Sequence, residues 1–293
     1  MVIKRTIGDR AFDVFNYALL TFLMIITLYP FLYVVFASLS SPEELASNTG
    51  LLLKPLGFSF GAYVAVLKNP MIIIGYKNTL FYVVTGTIYN VIMTALGAYV
   101  LSRKNFFWKK YIMGMVVFTM FFGGGLIPSF LLVKSLGLYN TVWALIIPGA
   151  ISTMNMIIMK TSFEGIPAGL EESAKIDGAN DISILFKIIL PLSMPVIAVM
   201  ILYYGVGHWN SWFGALIYLR NKNLYPLQLV LREILISSSM NEMLQGTIDS
   251  DKQFLSETIK HATIIVATLP ILLVYPFLQK YFVKGVMIGA LKG

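Results

Sequence analysis

Six times along the sequence a run of about 20 predominantly apolar residues passes without enough charge to interrupt it, the length a helix needs to cross roughly 30 Å of hydrocarbon. The runs lie near 13–37, 77–101, 111–134, 141–160, 188–218 and 258–283. Within lipid every backbone N–H and C=O has to find its partner inside the protein. Runs of this length therefore predict an all-α integral membrane protein of about six transmembrane helices, read as a single transmembrane domain over 1–293. The composition agrees: 57% of residues are hydrophobic, 12% are charged and the mean hydropathy is +0.77, whereas soluble domains run near a quarter charged. The first run follows Lys4, Arg5 and Arg10, as a secretory signal would, and Ala37-Ser38-Leu39 imitates a small-residue cleavage site. Its apolar stretch is too long for a signal, so it is expected to be a retained helix.

Basic residues near span ends resist translocation and so set orientation. With the N-terminus inside, the inner segments hold Lys4, Arg5 and Arg10; Arg103, Lys104, Lys109 and Lys110; Lys160, Lys175 and Lys187; and Lys280, Lys284 and Lys292, which is 13 of the 22 basic residues. The other nine are spread over much longer outer loops, so both termini are expected to be cytoplasmic. The net charge of +8 is distributed between apolar runs rather than gathered on one face with interleaved aromatics, which argues against nucleic acid as a partner and for the bilayer. Acidic residues are absent between Glu44 and Glu164, then crowd the cytoplasmic loop 161–187 as Glu164, Glu171, Glu172, Asp177 and Asp181.

Residues 167–191, PAGLEESAKIDGANDISILFKIILP, are too polar to span and too periodic to be a slack loop. They parse as two helices and a turn. Pro167 suits a first turn, where its missing N–H costs nothing, and Glu171 and Glu172 follow near the positive end of the helix dipole. Asp177-Gly178 stops the helix, since glycine takes the left-handed conformation cheaply. Leu170, Ser173, Ala174 and Asp177 share a face of mostly small side chains that suits insertion into a partner's groove. The second helix carries Ile182, Leu185, Phe186 and Ile189 on one stripe, spaced i, i+3, i+4, i+7.

The spacing Glu172-Ser173-Ala174, three residues, Gly178, nine residues, Ile188, one residue, Leu190-Pro191 resembles the EAA motif of the permease subunits of bacterial ABC importers, with Ser173 where that motif has alanine. The run Gln279-Lys280-Tyr281-Phe282-Val283-Lys284-Gly285, ending in Leu291-Lys292-Gly293, is similar to the tail of maltose-type permease second subunits. The runs GGGLIPSFLLVKSLGLYNT (123–141) and GHWNSWFGALIYL (207–219) resemble carbohydrate permeases that serve complex oligosaccharides, including acidic polysaccharide fragments. The resemblance implies a type I ABC importer permease fold with cytoplasmic coupling helices, in a bacterial inner membrane. It implies docking of Leu170, Glu172, Ser173, Ala174, Asp177, Gly178 and Ala179 against a cytoplasmic ATPase, with the tail 285–293 as a second contact. The implied partners are a homologous second permease in a heterodimer, two ATPase subunits, an extracytoplasmic solute-binding protein and a sugar. ATP and Mg would be bound by the ATPase, with no cofactor in this chain.

Two features bear on a translocation path. Gly123-Gly124-Gly125 followed by Pro128 is expected to break the third span, either beside a water-filled cavity or to admit a neighbouring helix. Tyr203, Tyr204, Trp209, Asn210 and Trp212, with His208, form an aromatic and polar cluster that fits either sugar stacking along a path or the lipid–water interface. The outer loops 38–76 and 219–257 are either docking surfaces for a binding protein or solvated connections.

Enzymatic classes find little support. No G-x-x-x-x-G-K-[ST] phosphate loop exists, nor any Gly-Lys dipeptide, so ATP hydrolysis is assigned to another polypeptide. The absence of cysteine excludes disulfides, thiol nucleophiles and Cys-ligated zinc, and His208 and His261 lack metal-ligand spacing. The alternative class is an ion-coupled secondary transporter, which would be expected to carry ionisable residues within its spans. A lipid-linked membrane enzyme would need catalytic carboxylates that only the acidic loop offers.

Overall fold

A computed structural model describes residues 7–244, 257–273 and 276, and all regular structure among them is helical. Two compact units divide the chain, Met1–Asn69 with Leu231–Leu269 and Pro70–Val230 with Pro270–Gly293.

The first unit contains α1 (Ile7–Ser38), α2 (Pro42–Ser47) and α3 (Gly61–Lys68). The most apolar stretch of α1 has a mean hydropathy of 2.3 and no residue buried within the protein. Lipid or another polypeptide is the only medium that suits such a surface. Its end is anchored instead: Ala37 packs with Leu45 and Leu52, and the Ser38 hydroxyl lies 2.7 Å from the Tyr63 hydroxyl. The Ser41 side chain accepts from the Glu44 N–H and Pro42 occupies the first helical position, which together start α2.

The second unit is built on α4 (Pro70–Ser102), a helix of 33 residues packed against α7 (Thr153–Glu164) and α11 (Met194–Trp209). Among its buried residues Gly75, Thr79, Gly86, Asn90, Thr94 and Ala98 are small or polar and recur at helical spacing, beside the larger Ile72, Tyr82, Tyr99 and Leu101. In lipid, close backbone approach and interhelical hydrogen bonds replace the hydrophobic drive between helices.

The third apolar run breaks where the glycines stand. α5 (Lys109–Phe121) and α6 (Leu126–Ser135) meet at 117°, and Gly125 has φ 84 and ψ 175. Two other runs are less continuous than their hydropathy suggests. Over 141–160 the chain forms a 3-10 turn at Val142–Leu145, an irregular stretch holding Pro148-Gly149, and then α7. Over 188–218 it bends by 87° at Ser193 between two prolines, and α12 (Phe213–Tyr218) follows after Asn210-Ser211-Trp212. Proline removes a donor and glycine lowers the cost of irregular backbone, effects a hydropathy window does not register. Among the described residues two helices are long and apolar enough to cross a membrane alone, and four if each bent pair counts as one.

Between α7 and α11 lie α8 (Ala168–Ile176), α9 (Asp181–Ile184), a π turn (Leu185–Ile189) and α10 (Leu190–Leu192). A 3-10 turn at Lys222–Leu224 and α13 (Leu227–Leu244) come after α12. The final run is helical over 257–273 and at 276; its other residues, and the tail 285–293, lie outside the described residues.

Candidate functional site

The acidic loop folds as two helices joined by a sharp turn. Pro167 stands at the N-cap of α8, and Gly178 takes φ 82 past its end. There the Ala179 N–H donates to the Ala174 carbonyl at 2.9 Å and the Gly178 N–H to the Lys175 carbonyl at 3.1 Å. These two bonds form a Schellman closure that satisfies carbonyls the helix end leaves open. Asn180 then caps α9, its side-chain oxygen accepting from the Ser183 N–H at 2.8 Å.

One side of this hairpin is closed onto the bundle. Ala174, Ile184, Leu185 and Ile189 join a core with Tyr99, Met159 and Phe163. The stripe of the second helix is divided, with Ile182 and Phe186 exposed while Leu185 and Ile189 are buried together with Ile184. Two apolar stripes overlap in this sequence, and the core selects the one that passes through the π turn.

The other side faces out. Glu172, Ser173, Asp177 and Gly178 are exposed, with Leu170 beside them and Ala179 half-buried. Ile176, which sequence reasoning did not single out, is 87% exposed. The available signal was a large apolar side chain on the polar phase of a short helix. Ala174 contributes to the protein's own core rather than to the outer face.

One ion pair fixes the hairpin to the end of α4, and others brace the hairpin itself and the end of α7. Arg103, one residue past α4, pairs with Glu171 of α8, and its guanidinium carbon stands 4.7 Å over the Tyr99 ring. Lys175 reaches Glu171 at 3.2 Å and Asp181 at 3.4 Å. Glu164, at the end of α7, accepts from Lys109 at 2.7 Å and from Lys160 at 2.9 Å. Burial pulls the Glu164 carboxyl upward, but the hydrogen bonds and the charges of Lys109 and Lys160 together outweigh it and hold the group below its ordinary value. Burial draws the Arg103 guanidinium down, opposed by Tyr99, Asp181 and Glu164. A cleft of about 830 Å³ opens among these groups, lined by Tyr99, Arg103, Glu164, Glu171 and Glu172.

The aromatic cluster on α11 is divided between interior and surface. The Tyr204 hydroxyl is 2.7 Å from the Thr94 hydroxyl and accepts from the Ser152 N–H at 3.0 Å, and Trp209 is buried with its ring edge-on to Tyr76. Tyr203 and Asn210 are exposed, and Trp212 is half-buried against Phe213. The loop after α12 is tied down at the same end of α4. Asn140 accepts from the Arg220 and Asn221 N–H groups, and Asn78 donates to the Asn223 and Tyr225 carbonyls. Among the described residues no cluster of His, Asp and Glu is arranged to hold a metal ion.

Three comparisons bear on this arrangement. The polygalacturonan/rhamnogalacturonan transport system permease protein YtcP of Bacillus subtilis is 44% identical, covering 97% of this chain and 99% of its own. Protein LplC of the same organism is 42% identical, covering 98% and 97%. The crystal structure of a bacterial ABC transporter involved in the import of the acidic polysaccharide alginate contains a chain that superposes with a TM-score of 0.86 at 32% identity, covering 95% of this chain and 99% of that one. Residues 91–288, which include the whole of the acidic loop, match the family of binding-protein-dependent transport system inner membrane components, and this chain belongs to that family of ABC transporter permeases.

Proposed function

We propose that this chain carries an acidic oligosaccharide, of the uronic-acid type, across a bacterial cytoplasmic membrane as one of two homologous permeases in an ATP-driven importer. An extracytoplasmic solute-binding protein delivers the sugar, and two cytoplasmic ATPase subunits bind ATP and Mg and hydrolyse the nucleotide. Both termini lie in the cytoplasm, in keeping with the density of basic residues on that side. The relatives' own solutes support the substrate class, since polygalacturonan and alginate are both acidic polysaccharides.

The observation that carries the reading is α8 itself. A short helix pinned to the bundle on one side presents Leu170, Glu172, Ser173, Ile176 and Asp177 on the other, and Gly178 turns the chain sharply after it. A mixed apolar and acidic face on a fixed helix suits a groove in a protein partner better than an anionic lipid surface, which would favour Lys and Arg. Docking drives transport only if the ATPase states bind α8 differently, because equal affinity in both states shifts no population. Of the aromatic cluster, exposed Tyr203 and Asn210, with half-buried Trp212 beside them, are the residues of α11 and its end that remain open to contact with sugar.

The test is co-purification from the native membrane, with wild type compared against Glu172→Ala and Gly178→Val. Recovery of an ATPase and a second permease with wild type, and loss of the ATPase alone in the variants, is expected. Wild type that is recovered alone and moves solute without ATP would overturn the reading.

A further inference from the structure

We propose that the ion pair between Arg103 and Glu171 is the link through which movement of α8 reaches α4, making Arg103 a positioning residue for transport; this rests on the importer reading above. Arg103 follows directly on Ser102, the last residue of α4, and its Nε and one terminal nitrogen donate to the Ser102 hydroxyl at 3.1 and 2.9 Å. Its guanidinium is therefore oriented by the end of α4 and by the Tyr99 ring beneath it before it meets Glu171. On the other side, Glu171 directly precedes Glu172 of the outward face.

Both side chains are shielded, with 21% of Arg103 and 14% of Glu171 exposed. In such surroundings an ion pair resists partial stretching, because leaving one charge without its partner is costly. Each partner nevertheless has a second interaction. Glu171 keeps Lys175 on its own helix at 3.2 Å, and Arg103 keeps Tyr99 and Ser102. The pair therefore has two tolerable arrangements, joined and parted, rather than a continuum between them. That is the property required of an element whose equilibrium a partner can bias.

What α4 does with the movement is written in its buried stripe. Thr94 meets Tyr204 of α11, and Asn90 meets His208 of α11 and the Gly149 and Ala150 carbonyls. A displacement delivered at Ser102 is thus passed to α11 and to the irregular turn before α7 through contacts already in place.

The experiment uses the complete transporter purified from its native membrane and reconstituted in liposomes, with oligogalacturonate as the probe solute. ATP hydrolysis and uptake are measured together for Arg103→Gln, Glu171→Gln, the double variant and Arg103→Lys. Each single glutamine variant is expected to retain its ATPase subunits and hydrolyse ATP while uptake per ATP falls by roughly fivefold or more. The double variant should fall no further, since the two residues act as one unit, and Arg103→Lys should keep most of the wild-type ratio. Unchanged uptake per ATP in the single variants, losses that multiply in the double, or loss of the ATPase from Arg103→Gln would each overturn the proposal while leaving the importer standing. Wild type that lacks an ATPase would instead sink the proposed function, and this link with it.

Discussion

His208 Nε2 lies 2.7 Å from Asn90 Oδ1, joining α11 to α4 through two polar side chains inside an apolar bundle. Asn90 also donates from its amide nitrogen to the Gly149 carbonyl at 2.6 Å and the Ala150 carbonyl at 3.0 Å. Its Oδ1 is therefore left as the acceptor, which assigns the proton to His208 Nε2. One asparagine thus satisfies the backbone that Pro148-Gly149 releases from helical bonding and holds α11 at the same level. Gly86 makes room for this, because a Cβ there would stand 2.4 Å from His208 Nε2.

Gly86→Ala is accordingly expected to push the imidazole off Asn90 and lower the thermal stability of the detergent-solubilised protein by the equivalent of about 1–2 kcal/mol, the scale of an interhelical hydrogen bond in membranes. His208→Ala in the same chain should recover most of the steric part, since it removes the ring that the new methyl meets. Thermal unfolding of wild type, both single variants and the double variant decides the matter, and a double variant no more stable than Gly86→Ala would show that the clash lies elsewhere.

At Gly178 the cost of substitution is conformational alone. Its φ is 82, and a Cβ built there meets nothing within 4 Å. Gly178→Asn should be the mildest change, Gly178→Ala intermediate at roughly 1 kcal/mol and Gly178→Val the worst, following the tolerance of each side chain for left-handed backbone. Measured by uptake in vesicles at matched expression, the same order should appear; equal loss for all three would point to a partner contact at the glycine instead of a turn.

Much of this was legible beforehand, for identifiable reasons. The helix–turn–helix over 167–191 depends on local signals, Pro167 at the start and Asp177-Gly178 at the end of the first helix, and local signals survive folding. The break at Gly123–Gly125 is local in the same sense. The interior of α4 was not legible as a binding surface for its neighbours, because Asn90 and Thr94 are ordinary polar interruptions until α11 and the 149–152 turn arrive beside them. The partner of Arg103 lies 68 residues away in sequence, and no spacing rule joins them. Family membership, in turn, removes the ion-coupled alternative that composition left open.

Glu164 makes stability depend on acid in a predictable direction. Its carboxyl is held below its ordinary value, the hydrogen bonds and charges of the two lysines together outweighing burial, so the folded state binds this proton less readily than the unfolded chain. The stabilisation is present in full above the unfolded value and is lost as pH falls through the lower folded value. Between about pH 7 and about pH 3 wild type should lose more thermal stability than Glu164→Gln, which has no proton to take up at this position. Parallel pH profiles for the two proteins would show that the Lys109 and Lys160 contacts are fully screened by solvent.

The bend between α5 and α6 tests whether glycine is needed for its backbone or for its size. Gly125, with φ 84 and ψ 175, occupies a region essentially closed to other residues, while nothing lies within 4 Å of a Cβ at Gly123 or Gly125. At Gly124 the nearest atom is the Pro128 Cβ at 3.9 Å, an ordinary contact. Within this chain, then, the three glycines do not serve close packing, and only Gly125 is demanded by conformation. Gly125→Ala is expected to cost about 1–3 kcal/mol and to lower the thermal midpoint, with Gly123→Ala and Gly124→Ala near wild type. If the latter two also lost uptake while unfolding normally, the exposed side of the bend would be a surface that the second permease or the sugar approaches closely. Equal stability in all three would mean that the 117° angle is set by neighbours rather than by Gly125.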